Sequence, residues 1–193
     1  ITPEKLPAIR NGGFIQQTLD QVLDRLHARC FVFKSEDEII AIAVVDSCMI
    51  PRDVCNQAKV LASKRTGIPA DRILISSTHT HSAPSVMDMC LGSSSDPSYD
   101  KFLPPKIAEG IASAYENLEP ARTGWTVVDA PEHTHNRRWL KHPNSYADDP
   151  FGEKTVRAMM HPQYQNPDYI GEAGPVDSGL SLISIESADG SRP

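Results

Sequence analysis

From His27 to Phe33 the chain alternates, with His27, Arg29, Phe31 and Phe33 interleaving with Ala28, Cys30 and Val32. A second run, Ile39 to Val45, is almost wholly apolar and follows the polar stretch Lys34 to Glu38. Alternation followed by a short continuous apolar run predicts two strands joined by a tight turn, the second buried on both faces. The period then lengthens. Val54, Ala58 and Leu61 recur at helical spacing, Pro51 suits the first position of a helix, and Gly67 with Pro69 ends it. Arg72 to Ser76, RILIS, predicts a third strand. A strand, a helix and a strand so close in sequence form a βαβ unit, whose strands run parallel with a right-handed crossover.

The segment from Ser76 to Ser98 is polar and small. A second helix is predicted over Tyr99 to Leu118, with Leu103, Ile107, Ile111, Ala114 and Leu118 on one stripe and Pro120 as its end. Pro104 and Pro105 place the start of that helix near them, because proline cannot donate within a helix interior. Arg122 to Asp129 and Leu180 to Glu186 read as two further strands. Between them, His142 to Ser178 is rich in Pro and Gly and holds no sustained period, and a loop that long in a compact domain often covers a site. The pattern predicts an α/β fold: a mixed sheet with a parallel βαβ unit, flanked by helices, and a long Pro/Gly-rich loop in the C-terminal third. Residues 1–193 are taken as a single α/β domain.

Composition narrows the function classes. Of the 193 residues 39% are hydrophobic and 23% charged, enough apolar material for a folded core. With 19 Lys and Arg against 25 Asp and Glu, the net charge is −6. A nucleic-acid partner is therefore not expected, since counterion release needs clustered cations. No stretch approaches the roughly 20 apolar residues of a transmembrane helix. Cys30, Cys48, Cys55 and Cys90 show no C-x-x-C spacing, which argues against a zinc ribbon and leaves buried thiols as the plain expectation. Ile1 stands where Met would, so the chain is expected to be processed or excised.

The residues that carry chemistry are Thr78-His79-Thr80-His81-Ser82, directly after the third strand. Ligands bind at the C-terminal edge of open α/β sheets. Two histidines two apart in extended backbone share a face, so both imidazoles can reach one metal, or one can ligate while the other holds substrate. A second triplet, His133-Thr134-His135, runs into Asn136-Arg137-Arg138. Four imidazoles could close a tetrahedral zinc site; the plainer expectation for His133 and His135 is a half-exposed strand pair. A guanidinium from Arg137 or Arg138 could hold a carbonyl oxygen or the oxyanion it becomes. Asp46 is either an acceptor for a metal-bound imidazole or a cap on the next turn. His27 reads as a rim residue, His142 and His161 as loop residues, and Asn11-Gly12-Gly13 as a turn.

Taken together, Ile1-Thr2-Pro3, the Leu26 to Val32 strand, Asp46-Ser47-Cys48, Thr66-Gly67-Ile68-Pro69, Ile73 to Ser82 with its THTHS core, and Asn136-Arg137 resemble the N-terminal catalytic part of the neutral/alkaline non-lysosomal ceramidases, their bacterial relatives in particular. The resemblance runs end to end, and THTHS is its most specific piece. Ala83 stands where that family has Gly, and Arg138 where it has Ser. The resemblance implies an α/β zinc hydrolase that cleaves the N-acyl bond of ceramide or a similar lipid amide. It implies that His79 is a zinc ligand, that His81 is a catalytic, substrate-facing histidine, and that Arg137 contacts the reacting oxygen, with Arg138 beside it at the substrate. Peripheral contact with a membrane would suit such a substrate. The family's later ligands, a His, a Glu and a Tyr, match nothing within these residues. The resemblance therefore implies an N-terminal fragment of a larger catalytic domain, inactive by itself, and a secreted or periplasmic protein. The alternatives are a metallohydrolase of another ester or amide, and a non-catalytic binding domain.

Overall fold

The computed structural model describes residues 1–89 and 91–191; Cys90 and the last two residues of the Asp189 to Pro193 turn lie outside them. The chain divides into two compact units, Ile1–Glu119 and Pro120–Pro193.

The first unit opens with a small antiparallel pair, β1 (Ala8–Arg10) and β2 (Gln17–Leu19). Its main sheet has three strands in the order β3 (Ala28–Ser35), β4 (Glu38–Val45) and β5 (Ile73–Ser77). β3 and β4 form the expected hairpin, with Cys30 opposite Ala43 and a turn in which Glu36 takes a φ of 53°. β4 and β5 run parallel, Val45 beside Ser77. The helix α1 (Arg52–Thr66) joins them, so the βαβ unit stands where the pattern placed it.

Gly67, at φ 75°, supplies the left-handed residue that ends α1, its N–H donating to the Ser63 carbonyl. The buried stripe of α1 is Val54, Ala58, Ala62 and Thr66, whereas Leu61 lies toward solvent. Small residues line the buried side of α1, and the bulkier Leu61 falls outside it.

The second helix, α2 (Pro97–Glu116), starts earlier than its prolines suggested. Asp96 caps it, its carboxylate accepting from the Ser98 and Tyr99 amides at 3.0 and 3.2 Å, and Pro97 takes the first position. Pro104 and Pro105 lie inside the helix. Each deletes one backbone hydrogen bond. The cap and the buried face of Tyr99, Leu103, Ile107 and Ile111 hold the helix through that defect, full burial of each of the three aliphatic side chains contributing about 1.5–3 kcal/mol.

Both helices pack with the sheet face that carries Ala41, Ala43 and Val45, and there lies the core. On the opposite face Ile42 and Val44 are half-buried and Ile40 is exposed. Both helices lie on one side of β4, so within the first unit its other face is the more exposed one among the described residues.

In the second unit, β6 (Ala121–Asp129) pairs antiparallel with β10 (Gly179–Ser187) along all nine residues. A smaller sheet places β7 (Arg138–Lys141) between β8 (Ala158–Met160) and β9 (Tyr169–Glu172). The Pro/Gly-rich stretch His142 to Ser178 is mostly loop and contributes those two short outer strands. Among the described residues no helix is long and apolar enough to cross a membrane.

Candidate metal centre

Parallel pairing brings the ends of β4 and β5 to one edge. Past Val45 the chain continues through Asp46, Ser47 and Cys48, and past Ser77 through Thr78 and His79; the Thr78 amide still donates to the Val45 carbonyl at 3.0 Å. The Cys48 carbonyl accepts from Ser77 Oγ at 3.4 Å and from His79 Nδ1 at 2.9 Å. A carbonyl oxygen only accepts, so Nδ1 carries the proton and Nε2 keeps the lone pair. A backbone carbonyl on one ring nitrogen is the usual way a metal-ligating imidazole is oriented through the other.

His79 adopts φ 62°, the left-handed region, which swings its ring toward Cys48 in place of a continued strand. The His81 ring meets it edge-on, centroids 4.8 Å apart and planes at 81°. The two imidazoles therefore come together as expected, through a left-handed residue and a turn and not through extended backbone. Both are exposed, while Cys48 is buried.

The seat of His81 is built from the N-terminal segment. Asn11 N donates to the Ala83 carbonyl at 3.1 Å, and Ser85 N to the Ile9 carbonyl at 2.7 Å, so residues 9–11 run beside 83–85. This brings Gly12 against His81: a Cβ there would stand 2.5 Å from His81 Cγ. The Asn11-Gly12-Gly13 turn thus makes room for an imidazole.

The fitting of a metal rests on the donor set. Ligand atoms of Cys48, His79 and His81 all lie within 4.8 Å of one another, with Cys48 Sγ 3.8 Å from His79 Nδ1. Zinc takes sulfur at about 2.3 Å and imidazole nitrogen at about 2.0–2.1 Å, so tetrahedral donors stand about 3.5 Å apart. Sulfur and imidazole nitrogen are donors that zinc accepts, and with one ligand atom of each within 4.8 Å of the others the three side chains are a possible metal site.

A cleft of about 410 Å³ lies beside this segment, walled by Leu6, Leu19, Leu26, Thr80 and Ser82 among others. His79 and His81 are not on its wall. Asp46 is, but its carboxylate serves Arg29, at 2.9 Å, and the His27 amide, also at 2.9 Å. That latches the ends of β3 and β4 and is not the support of a metal-bound imidazole.

Arg137 and Arg138 belong to the second unit, as do His133 and His135. Arg137 Nη2 lies 2.9 Å from His161 Nε2; a guanidinium only donates, so that nitrogen of His161 accepts. Arg138 N donates to Asn136 Oδ1 at 2.9 Å and its side chain is exposed. His133 and His135 are exposed, with His133 3.7 Å from Glu132. Of the other thiols, burial pushes Cys30 up to about 11 and raises Cys55, keeping both protonated at neutral pH.

Sequence reasoning passed over Cys48 and Gly12 as site residues. Cys48 is brought to His79 by the parallel pairing of Val45 with Ser77, a non-local contact that the spacing of residues along the chain does not show.

The fold matches that of part of two solved ceramidases. Neutral ceramidase from Pseudomonas aeruginosa aligns with 99% of this chain and 29% of its own, with a TM-score of 0.65 and 18% identity. A ceramidase complexed with C2 aligns with 95% of this chain and 27% of its own, with a TM-score of 0.55 and 17% identity. The chain spans less than a third of either enzyme, and at such identity the likeness is one of fold. No protein-family model and no curated protein matches the chain.

Proposed function

We propose that the chain carries the metal-binding edge of a zinc-dependent amide hydrolase acting on the N-acyl bond of ceramide or a similar lipid amide. The observation that carries this reading is His79, its Nδ1–H fixed by the Cys48 carbonyl and its Nε2 left to bind a metal, with His81 against it at the C-terminal edge of a parallel strand pair. The fold shared with two ceramidases and the THTHS resemblance support the same reading.

Zinc, when bound, acidifies water enough to supply a nucleophile at neutral pH. His79 would hold the ion, and the Cys48 carbonyl keeps its ring in the ligating tautomer. His81, seated on Gly12 and open to solvent, is placed to orient the amide carbonyl and stabilise the oxyanion it becomes. Such a donor is worth about 3–4 kcal/mol at the transition state. Arg137 and Arg138 are assigned to the substrate on the resemblance alone, as are a secreted or periplasmic location and residues 1–193 as the N-terminal part of a larger catalytic domain.

The test is a substrate panel of N-acyl sphingoid amides, simple fatty amides and fatty esters, offered to the full-length gene product with and without a zinc chelator. Chelator-sensitive release of fatty acid from the lipid amides is expected. Hydrolysis confined to esters would favour a metallohydrolase of another substrate, and chelator-insensitive turnover would refute the metal reading.

A further inference from the structure

We propose that His161 is a positioning residue for Arg137: its imidazole accepts one N–H of the guanidinium and so fixes where the remaining donors and the positive charge lie. This rests on the substrate role given to Arg137 in the amidase reading, and it gives the Pro/Gly-rich stretch His142 to Ser178 a part in that role.

The backbone around Arg137 is held by its neighbours in the second unit. Asn136 Nδ2 donates to the Gly174 carbonyl at 3.0 Å, and Ala173 N to the Arg138 carbonyl at 2.8 Å. Trp139 Nε1 donates to the Asn136 carbonyl at 3.1 Å. A fixed backbone still leaves the Arg137 side chain free to sample rotamers, because it is exposed and arginine carries a large rotamer entropy. The end of β8 supplies the missing restraint. Arg138 pairs with Met160 in the antiparallel ladder, so Arg137 and His161 are the next two residues to face each other. There Arg137 Nη2 meets His161 Nε2 at 2.9 Å. His161 takes φ 60° just past the last residue of β8, so the strand stops with this imidazole against the guanidinium.

The kind of acceptor matters as much as its place. A carboxylate here would hold the guanidinium firmly and would also cancel its charge. An accepting Nε2 carries no proton, so the His161 ring is neutral and occupies one N–H donor only. Among the described residues no carboxylate forms an ion pair with Arg137. The charge and the other donors of Arg137 therefore stay available for an oxygen that becomes negative in the transition state.

The test is steady-state hydrolysis of an N-acyl sphingoid amide by the full-length gene product. Wild type is compared with His161→Ala, His161→Gln, Arg137→Ala and the double variant His161→Ala/Arg137→Ala. His161 is exposed, so its replacements should leave the fold intact, which far-UV circular dichroism verifies. His161→Ala should lower kcat about 10–30-fold, the loss expected when one arginine regains its rotamer freedom, and leave KM nearly unchanged. His161→Gln offers Oε1 as a neutral acceptor and should recover most of that loss. In the Arg137→Ala background His161→Ala should cost nothing more, because the group it positions is gone. With an active wild type, an unchanged kcat in His161→Ala, no recovery by glutamine, or fully additive losses in the double variant would overturn the positioning role and leave the amidase reading standing. A wild type without amide turnover would overturn that reading and the role of His161 with it.

Discussion

Gly12→Ala is the perturbation that reaches the site through packing alone. Gly12 sits at φ 94°, and an added Cβ would stand 2.5 Å from His81 Cγ and 2.8 Å from His81 Cβ. Holding alanine in left-handed backbone costs about 1–2 kcal/mol. Relieving an overlap with the root of a side chain costs about 1–3 kcal/mol more. The first unit should therefore lose about 2–5 kcal/mol, and His81 should be driven off its seat.

Gly67→Ala is the control. Gly67 has φ 75°, but nothing lies within 4 Å of the Cβ it would gain, so only the backbone cost of about 1–2 kcal/mol applies. The assay is urea unfolding followed by far-UV circular dichroism, because α1 and α2 both lie in the first unit. Trp125 and Trp139 both lie in the second, so tryptophan fluorescence would follow the wrong unit. Amide hydrolysis by both variants of the full-length product completes the experiment: Gly12→Ala should lower turnover and Gly67→Ala should not. Equal destabilisation by the two, with turnover equally unaffected, would refute the claim that Gly12 makes room for His81.

Two further outcomes follow from the same structure. Asp96→Ala removes the cap of α2 and leaves the Ile9 amide, 3.0 Å from the second carboxylate oxygen, without its acceptor; the loss should be about 2–4 kcal/mol. Burial works against the Asp96 charge, yet hydrogen bonds from Ser98, Ile9 and Tyr99 outweigh it and hold the carboxyl below its usual range. The stabilisation is thus present above the unfolded carboxylate value of about 4 and fades as pH falls through the lower folded value. Urea midpoints of wild type and variant should converge in acid, and a gap constant from pH 7 to pH 3 would contradict this account. Arg137→Ala in the full-length product should lower turnover about 10²–10³-fold, the usual loss of one oxyanion donor, with zinc content intact; loss of zinc would move Arg137 out of the substrate role.

The sequence carried much of this fold because its signals were local. The alternation of His27 to Phe33, the apolar run to Val45 and the Gly67 stop lie within one hairpin and one crossover, and each element formed where its pattern placed it. THTHS was legible for the same reason, being a short motif at a strand end. The failures were non-local. Pro104 and Pro105 pointed to a late helix start, but the Asp96 cap and a buried aliphatic face outweigh two missing hydrogen bonds. Ile40, Ile42 and Val44 read as core, yet the coverage of a sheet face depends on where the helices land. Cys48 meets His79 across 31 residues, and Gly12 meets His81 across a still longer interval, so neither contact leaves a spacing to read.

The most direct measurement is the zinc content of the purified protein and of folded His79→Ala, determined side by side after dialysis against trace metal. About one zinc per wild-type chain and essentially none in the variant is the result this account requires. Zinc retained in His79→Ala at the wild-type level would contradict it.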